Sequence, residues 1–268
     1  MKTPIVLITD FGYKDPYVGV MKGVIKSINP AVDIIDLTHS ISRHDVYEAA
    51  LTLLVSAKYF PRKTIFVCVV DPGVGSERRA LLIVTRNYYL IGPDNGCLTL
   101  LAGKDGVLTV YDISDSPYSL SRKSYTFHGR DLFAPVAAYL SLGYKPESLG
   151  EEIRYNDIVK LEFEKPEISG NRIKAKAIYI DVFGNIMTNI ESGDIEKIGL
   201  RINDKILVAS KSKSVECRFV KSFSRVSEGS YACYINSWGY FEVAINKGNA
   251  SMDLGVIKGD DIILSIIK

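Results

Sequence analysis

The four cysteines, Cys68, Cys97, Cys217 and Cys233, are scattered and form no CxxC pair. With Cys68 inside an apolar run, this predicts reduced thiols in a cytoplasmic protein. Charge of one sign is also lacking. Thirty-three basic against thirty-one acidic residues leave a net charge of +2 with no long run of either kind, so neither a nucleic acid nor a membrane is expected as partner. No apolar stretch reaches membrane-spanning length, and Ile5-Val6-Leu7-Ile8 behind Met1 is too short for a signal peptide. The common motifs are missing too: there is no Walker lysine loop, GxGxxG, HExxH or GxSxG, which removes the usual signatures of nucleotide binding, zinc proteolysis and serine hydrolysis. His39 and His44 lie five apart without further ligand spacing, so no metal is expected. The partner left by these exclusions is a small molecule.

What is present is a 268-residue chain, 47% hydrophobic and 24% charged, long enough for one large or two medium domains. Its organising stretch is Phe66-Val67-Cys68-Val69-Val70 followed by Asp71-Pro72-Gly73-Val74-Gly75 and the pair Arg78-Arg79. An unbroken apolar run predicts a strand covered on both faces, and an acid at its carboxyl end stands where α/β sheets keep their ligand crevices. The same residues also suit a plain strand-ending turn with a solvated Arg pair. Ile5–Thr9, ending in Asp10-Phe11-Gly12, repeats the pattern. Helices are predicted from Tyr17 to Ile28, from an Asp45 cap through Leu54, and from Leu132 to Leu142 with Asp131 as cap and His128 at the entrance. Strands between them argue for βαβ units in a mainly parallel α/β sandwich. Gly92-Pro93-Asp94-Asn95-Gly96 is a further ligand-contact candidate.

Helical periodicity fades at about residue 150. Beyond it, short β-rich runs at Ile173–Asp181, 205–209, 215–219, 230–235, 240–244 and 261–267 predict a small barrel or sandwich, with one helix at 194–200. We therefore divide the chain into an α/β domain over 1–155 and a smaller β-barrel domain over 156–268. In the latter, Asp181-Val182-Phe183-Gly184-Asn185 and Asn236-Ser237-Trp238-Gly239-Tyr240 carry more polar and aromatic groups than barrel turns need.

Seven blocks in order, Ile8–Gly12, Tyr17–Gly23, Asp71–Gly75, Gly92–Gly96, Phe127–Asp131, Phe183–Asn185 and Asn236–Tyr240, resemble the S-adenosyl-L-methionine hydroxide adenosyltransferases, relatives of the fluorinating and chlorinating enzymes. The resemblance implies an α/β domain followed by a β-barrel. It also implies hydrolysis of S-adenosylmethionine at the ribose C5′ to adenosine and L-methionine, with no cofactor, in a homotrimer whose sites lie at subunit seams. It implies Asp71, Arg78 and His128 as the triad that holds the attacking water, and Asp10 as the ribose acid. It further implies Asn185 as the reader of adenine, and Asp181 and Ser237 as contacts of the methionine ammonium and carboxylate; Trp238, a substrate-site candidate, reads as a stacking or packing aromatic. Asp181 and Asn185 also suit turn formation on their own. The halogenating relatives carry other residues, including Tyr, where this chain has Asp71 and His128. A carboxylate repels halide and accepts from water, so hydroxide transfer is the expected chemistry. A binding module without turnover and a metal-dependent nucleotide hydrolase are the alternatives.

Overall fold

The computed structural model describes residues 3–121 and 124–267. The chain folds as two compact units, Met1–Glu162 and Phe163–Lys268. Residues 156–162 stay with the first unit because its loops hold their backbone: Val159 N–H donates to Asp94 Oδ1 at 2.8 Å and Leu161 N–H to Thr99 Oγ1 at 3.0 Å.

In the first unit, β1 (Ile5–Thr9), β2 (Ile34–Thr38), β3 (Ile65–Val69), β4 (Ala80–Thr85), β5 (Tyr89–Pro93), β6 (Val107–Asp112) and β7 (Glu151–Ile153) form one sheet in the order β2-β1-β3-β5-β4-β6-β7. The ladders from β2 to β5 are parallel; β4, β6 and β7 add antiparallel ones, so the predicted parallel sheet is present and extended into a mixed one. Every residue of β1 and β3 is buried. The reason is that helices cover both faces. Ile5, Leu7, Ile65, Val67 and Val69 pack with Met21 and Ile25 of α1 (Tyr17–Ile28), while Val6, Ile8, Phe66 and Cys68 pack with Ala49 and Leu53 of α2 (Val46–Ser56). Asp45 caps α2 as expected, its carboxylate accepting the Glu48 N–H at 2.9 Å. The helix α3 (Thr99–Asp105), not anticipated, packs on the α2 face.

The helix α4 (Ala134–Ser141) is preceded by a single π turn over Gly129–Phe133, so helical structure begins right after His128. Asp131 is therefore inside the turn rather than its cap. Its buried carboxylate accepts instead from Arg130 Nε and Nη2 and from the Ser124 N–H.

The second unit contains β8 (Glu167–Ser169), β9 (Arg172–Ile180), β10 (Ile186–Glu191), β11 (Lys205–Ala209), β12 (Ser214–Phe219), β13 (Tyr231–Ile235), β14 (Tyr240–Ile245) and β15 (Asp261–Ile267). The order β10-β14-β13-β12-β11-β15-β9 closes through a β9–β10 ladder, giving a seven-strand barrel with β8 attached to β9. Alternate residues such as Ile173, Ala175, Ala177, Ile206, Val208, Phe241 and Val243 fill its interior. The strand β10 follows directly on the Asp181–Asn185 turn and supplies the closure. Short helices α5 (Ser192–Lys197) and α6 (Ala250–Leu254) complete the unit, α5 starting two residues ahead of the expected helix on a Glu191–Asp194 capping box.

The expectation of four reduced thiols is corrected here. Cys217 on β12 and Cys233 on β13 form a disulfide, because these neighbouring strands bring the two side chains together across 16 residues of sequence. Cys68 and Cys97 are free and buried, the Cys97 thiol being pushed well up by its neighbour Cys68 and by burial. Among the described residues no helix is long and apolar enough to cross a membrane.

Candidate functional site

Asp10 and Asp71 stand just beyond the carboxyl ends of adjacent parallel strands β1 and β3, the position at which such sheets form ligand crevices. Between them opens a cleft of about 570 Å³ whose lining includes Tyr17, His44, Phe127 and His128. The run from Asp71 turns back on itself, and Gly75 takes a φ of +82°, where an added Cβ would collide with the carbonyl oxygen of Tyr125. That turn returns Arg78 to Asp71. Arg78 Nε donates to Asp71 Oδ1 at 2.7 Å and Nη2 to Oδ2, a two-pronged pair in which the side chains are 10% and 6% exposed. The same Nη2 lies 2.9 Å from His128 Nδ1. A guanidinium is only a donor, so Nδ1 is the accepting nitrogen of the ring and Nε2 carries the proton. The Phe133 ring lies under the guanidinium at 5.7 Å. The structure thus brings Asp71, Arg78 and His128 into one hydrogen-bonded cluster.

Asp10 lies in the same cleft, with Oδ2 accepting the His44 N–H at 2.9 Å. His44 supplies this bond from a left-handed backbone, φ +64°. Arg130 also lines the cleft and lies over the Phe127 ring at 5.2 Å. Its partner Asp131 is pushed up by burial, but the bonds from Arg130 and the Ser124 N–H outweigh this and hold its carboxyl below the usual range. The loop Gly92–Gly96 serves a supporting role: Asp94 accepts from Arg79 Nε at 3.0 Å, and Asn95 Nδ2 donates to the Val70 carbonyl at 2.8 Å, fixing the strand end that carries Asp71. His39 is buried against Thr9 and Asp36, away from His44's position on the cleft. Among the described residues no three His, Cys, Asp or Glu side chains are grouped to hold a metal.

The barrel unit carries a second cleft, of about 390 Å³, lined by Asp181, Asn185, Ser237 and Trp238. Asp181 organises its own turn: Oδ1 accepts the Phe183 and Asn185 N–H groups, both at 2.9 Å, and Oδ2 accepts Asn185 Nδ2 at 2.9 Å. Gly184 makes the turn with φ +80°, and a Cβ there would run into the Asn249 side chain. Opposite, Asn236 Oδ1 accepts the N–H groups of Trp238 and Tyr240 at 3.0 and 3.1 Å, which holds Ser237 and Trp238 at the cleft. The Trp238 ring leans on Tyr179 at 5.7 Å.

Tyr234 and Glu242 are among the residues of this second cleft that the sequence did not single out. Glu242 accepts from Tyr234 OH at 2.6 Å and from Asn236 Nδ2 at 2.7 Å; burial, then this bond, raises the Tyr234 hydroxyl far above its ordinary range. The available signal was a lone acid within the apolar strand Tyr240–Ile245.

The comparisons with known proteins cover the same two units. The profile of the SAM hydroxide adenosyltransferase N-terminal domain matches residues 5–150, and that of the SAM hydroxide adenosyltransferase C-terminal domain matches 175–263. An (R)-S-adenosyl-L-methionine hydrolase of Methanocaldococcus jannaschii is 36% identical, over 96% of this chain and 94% of its own. One of Thermus thermophilus is 34% identical, over 96% and 97%. A fluorinase of Actinoplanes is 28% identical, over 90% of each. The crystal structure of an uncharacterised conserved protein from Thermotoga maritima superposes with a TM-score of 0.93 at 36% identity, covering 97% of this chain and 99% of that one. The chain belongs to the SAM hydroxide adenosyltransferase family.

Proposed function

We propose that the protein hydrolyses S-adenosyl-L-methionine at the ribose C5′, giving adenosine and L-methionine. The observation that carries this reading is the Asp71–Arg78–His128 cluster, whose Asp71 and His128 line the cleft that also holds Asp10, in a chain whose named relatives are hydrolases of this substrate. The chemistry asks for little more. A water oxygen bonds to C5′ as the C5′–S bond breaks, the electron pair passes to sulfur, and the sulfonium leaves as a neutral thioether, so no general acid is needed. Asp71, held by Arg78, accepts a hydrogen bond from that water and turns its lone pair toward carbon; the proton the water loses as it adds leaves along that hydrogen bond and is released to solvent, so the sulfonium cation and water give adenosine, methionine and one proton. A carboxylate at this place disfavours halide, consistent with hydroxide transfer.

In this reading Asp10 accepts from both ribose hydroxyls, Asn185 reads the adenine edge, and Asp181, Ser237 and Trp238 receive the methionine end. The substrate is its own source of reactivity, so no cofactor is invoked. We also propose a homotrimer in which the two kinds of cleft are joined across subunit boundaries, checked by light scattering. The deciding experiment incubates the purified protein with each sulfonium epimer of S-adenosylmethionine, with and without EDTA and chloride, and follows products by chromatography. Equimolar adenosine and methionine, indifferent to EDTA and free of 5′-chloro-5′-deoxyadenosine, is the expected result. Bound adenosine without turnover would make the protein a binding module, and EDTA-sensitive turnover a metal-dependent hydrolase.

A further inference from the structure

A polar chain runs behind Asp10 that the proposed chemistry does not use. Thr9 ends β1, His39 directly follows β2, and both are buried, at 0% and 1% exposure. His39 Nδ1 lies 2.8 Å from Thr9 Oγ1, and its Nε2 lies 3.1 Å from Asp36 Oδ1. Asp36 Oδ2 in turn accepts Lys22 Nζ at 2.6 Å and Tyr13 OH at 3.1 Å. Burial alone would raise the Asp36 carboxyl, but the bonds from Lys22, His39 and Tyr13 bring it below its ordinary value.

A carboxylate only accepts, so the ring turns its Nε2 N–H toward Asp36 and leaves Nδ1 facing the Thr9 hydroxyl. The Thr9 hydroxyl shares a hydrogen bond with Nδ1, and its oxygen also takes the Phe11 N–H at 3.2 Å. Backbone bonds reinforce the link, from Gly12 N–H to the His39 carbonyl at 2.7 Å and from Ile41 N–H to the Thr9 carbonyl at 3.4 Å. Thr9 and Phe11 flank Asp10, so the residues on either side of that carboxylate are tied to one hydroxyl.

We propose that His39 is a positioning residue which, through Thr9, sets the direction of the Asp10 carboxylate and thereby the selectivity of the site for a ribose with both hydroxyls. The inference rests on the reading that Asp10 holds the ribose. Thr9 is satisfied on both sides, by His39 Nδ1 and by the Phe11 N–H, and this end of the chain converges on a cleft residue; His39 Nε2 and Asp36 Oδ1 approach to 3.1 Å without a well-aligned hydrogen bond.

The test measures binding of adenosine and of 2′-deoxyadenosine by calorimetry to the unaltered protein and to His39→Ala, Thr9→Val and Thr9→Ser. Thr9→Val keeps the shape of the side chain and guards against a His39→Ala protein that does not fold. The unaltered protein is expected to favour adenosine by about tenfold or more, the worth of a hydrogen bond to a charged acceptor. Thr9→Val and a folded His39→Ala should cut that preference to about threefold or less, and Thr9→Ser should restore it. A Thr9→Val protein that melts normally and keeps the full preference overturns the relay while leaving Asp10 as ribose ligand. Absence of any preference in the unaltered protein removes the ribose role of Asp10, and the relay with it.

Discussion

Arg78 grips Asp71 with two N–H donors, and the nitrogen that completes the grip also reaches His128. One guanidinium therefore fixes two side chains that approach from different loops. Replacing Asp71 by Asn keeps the shape but leaves the Arg78 charge with a neutral partner in a nearly closed position. Adenosine release should fall by about a hundredfold or more, and stability by about 3 kcal/mol, the lower end for breaking a buried pair. Chromatographic turnover and a urea titration measure the two separately.

The acid limb of stability should belong in part to Asp131. Its carboxyl is depressed in the folded protein below the ordinary 3.8, because Arg130 and the Ser124 N–H outweigh burial. A depressed acid stabilises above its unfolded pKa, and this contribution is lost as pH falls through the lower folded value. Asp131→Asn should therefore be less stable than the unaltered protein at neutral pH, with the gap closing below about pH 4. Thermal melts at pH 7, 5 and 3 show whether the curves converge.

Reduction should act on the barrel unit. Cys217 and Cys233 close a loop of 16 residues, for which the loss of unfolded-state entropy is worth about 3 kcal/mol. A Cys217→Ser, Cys233→Ser double variant should unfold at correspondingly lower urea, and dithiothreitol should change the unaltered protein but not the variant.

Asn185→Ala should raise KM for S-adenosylmethionine by about tenfold with little change in kcat, since the adenine contact proposed for it would serve ground state and transition state alike. Asn185→Asp should bind more weakly still. It places a second carboxylate against Asp181, where the amide now sits at 2.9 Å. Initial rates over a range of substrate concentrations separate the two parameters.

The parts of this architecture that could be read from the sequence are those dictated by local chemistry. The all-buried strand before Asp71 is visible because Phe66 to Val70 has no polar side that could face water, and Asp45 is visible as a cap because the apolar spacing begins right after it. Where side chains answer to distant partners, local rules misled. Asp131 has the composition of an N-cap, yet Arg130 and Ser124 claim its oxygens and the helix starts before it. The disulfide depends on β12 lying beside β13, a register that spacing alone does not reveal. The helix α3 has no long apolar stripe and was hidden by Gly103. The cluster joins Asp71 and Arg78, seven residues apart, to His128, a further 50 along the chain, so the residues suggested chemistry, whereas the geometry gave them one shared hydrogen-bonded centre.

The order of synthesis separates the two units in time. All seven strands of the first sheet have been made once Ile153 emerges, so that unit can fold while the barrel is still being translated. The ring, by contrast, waits for β15, which joins β9 to β11 and is the last of its strands to be made. Until Asp261–Ile267 is available, both neighbours present bare backbone to whatever strand is nearby. Messages or proteases that remove that segment should thus yield a protein with a finished sheet and a barrel prone to pairing with other chains.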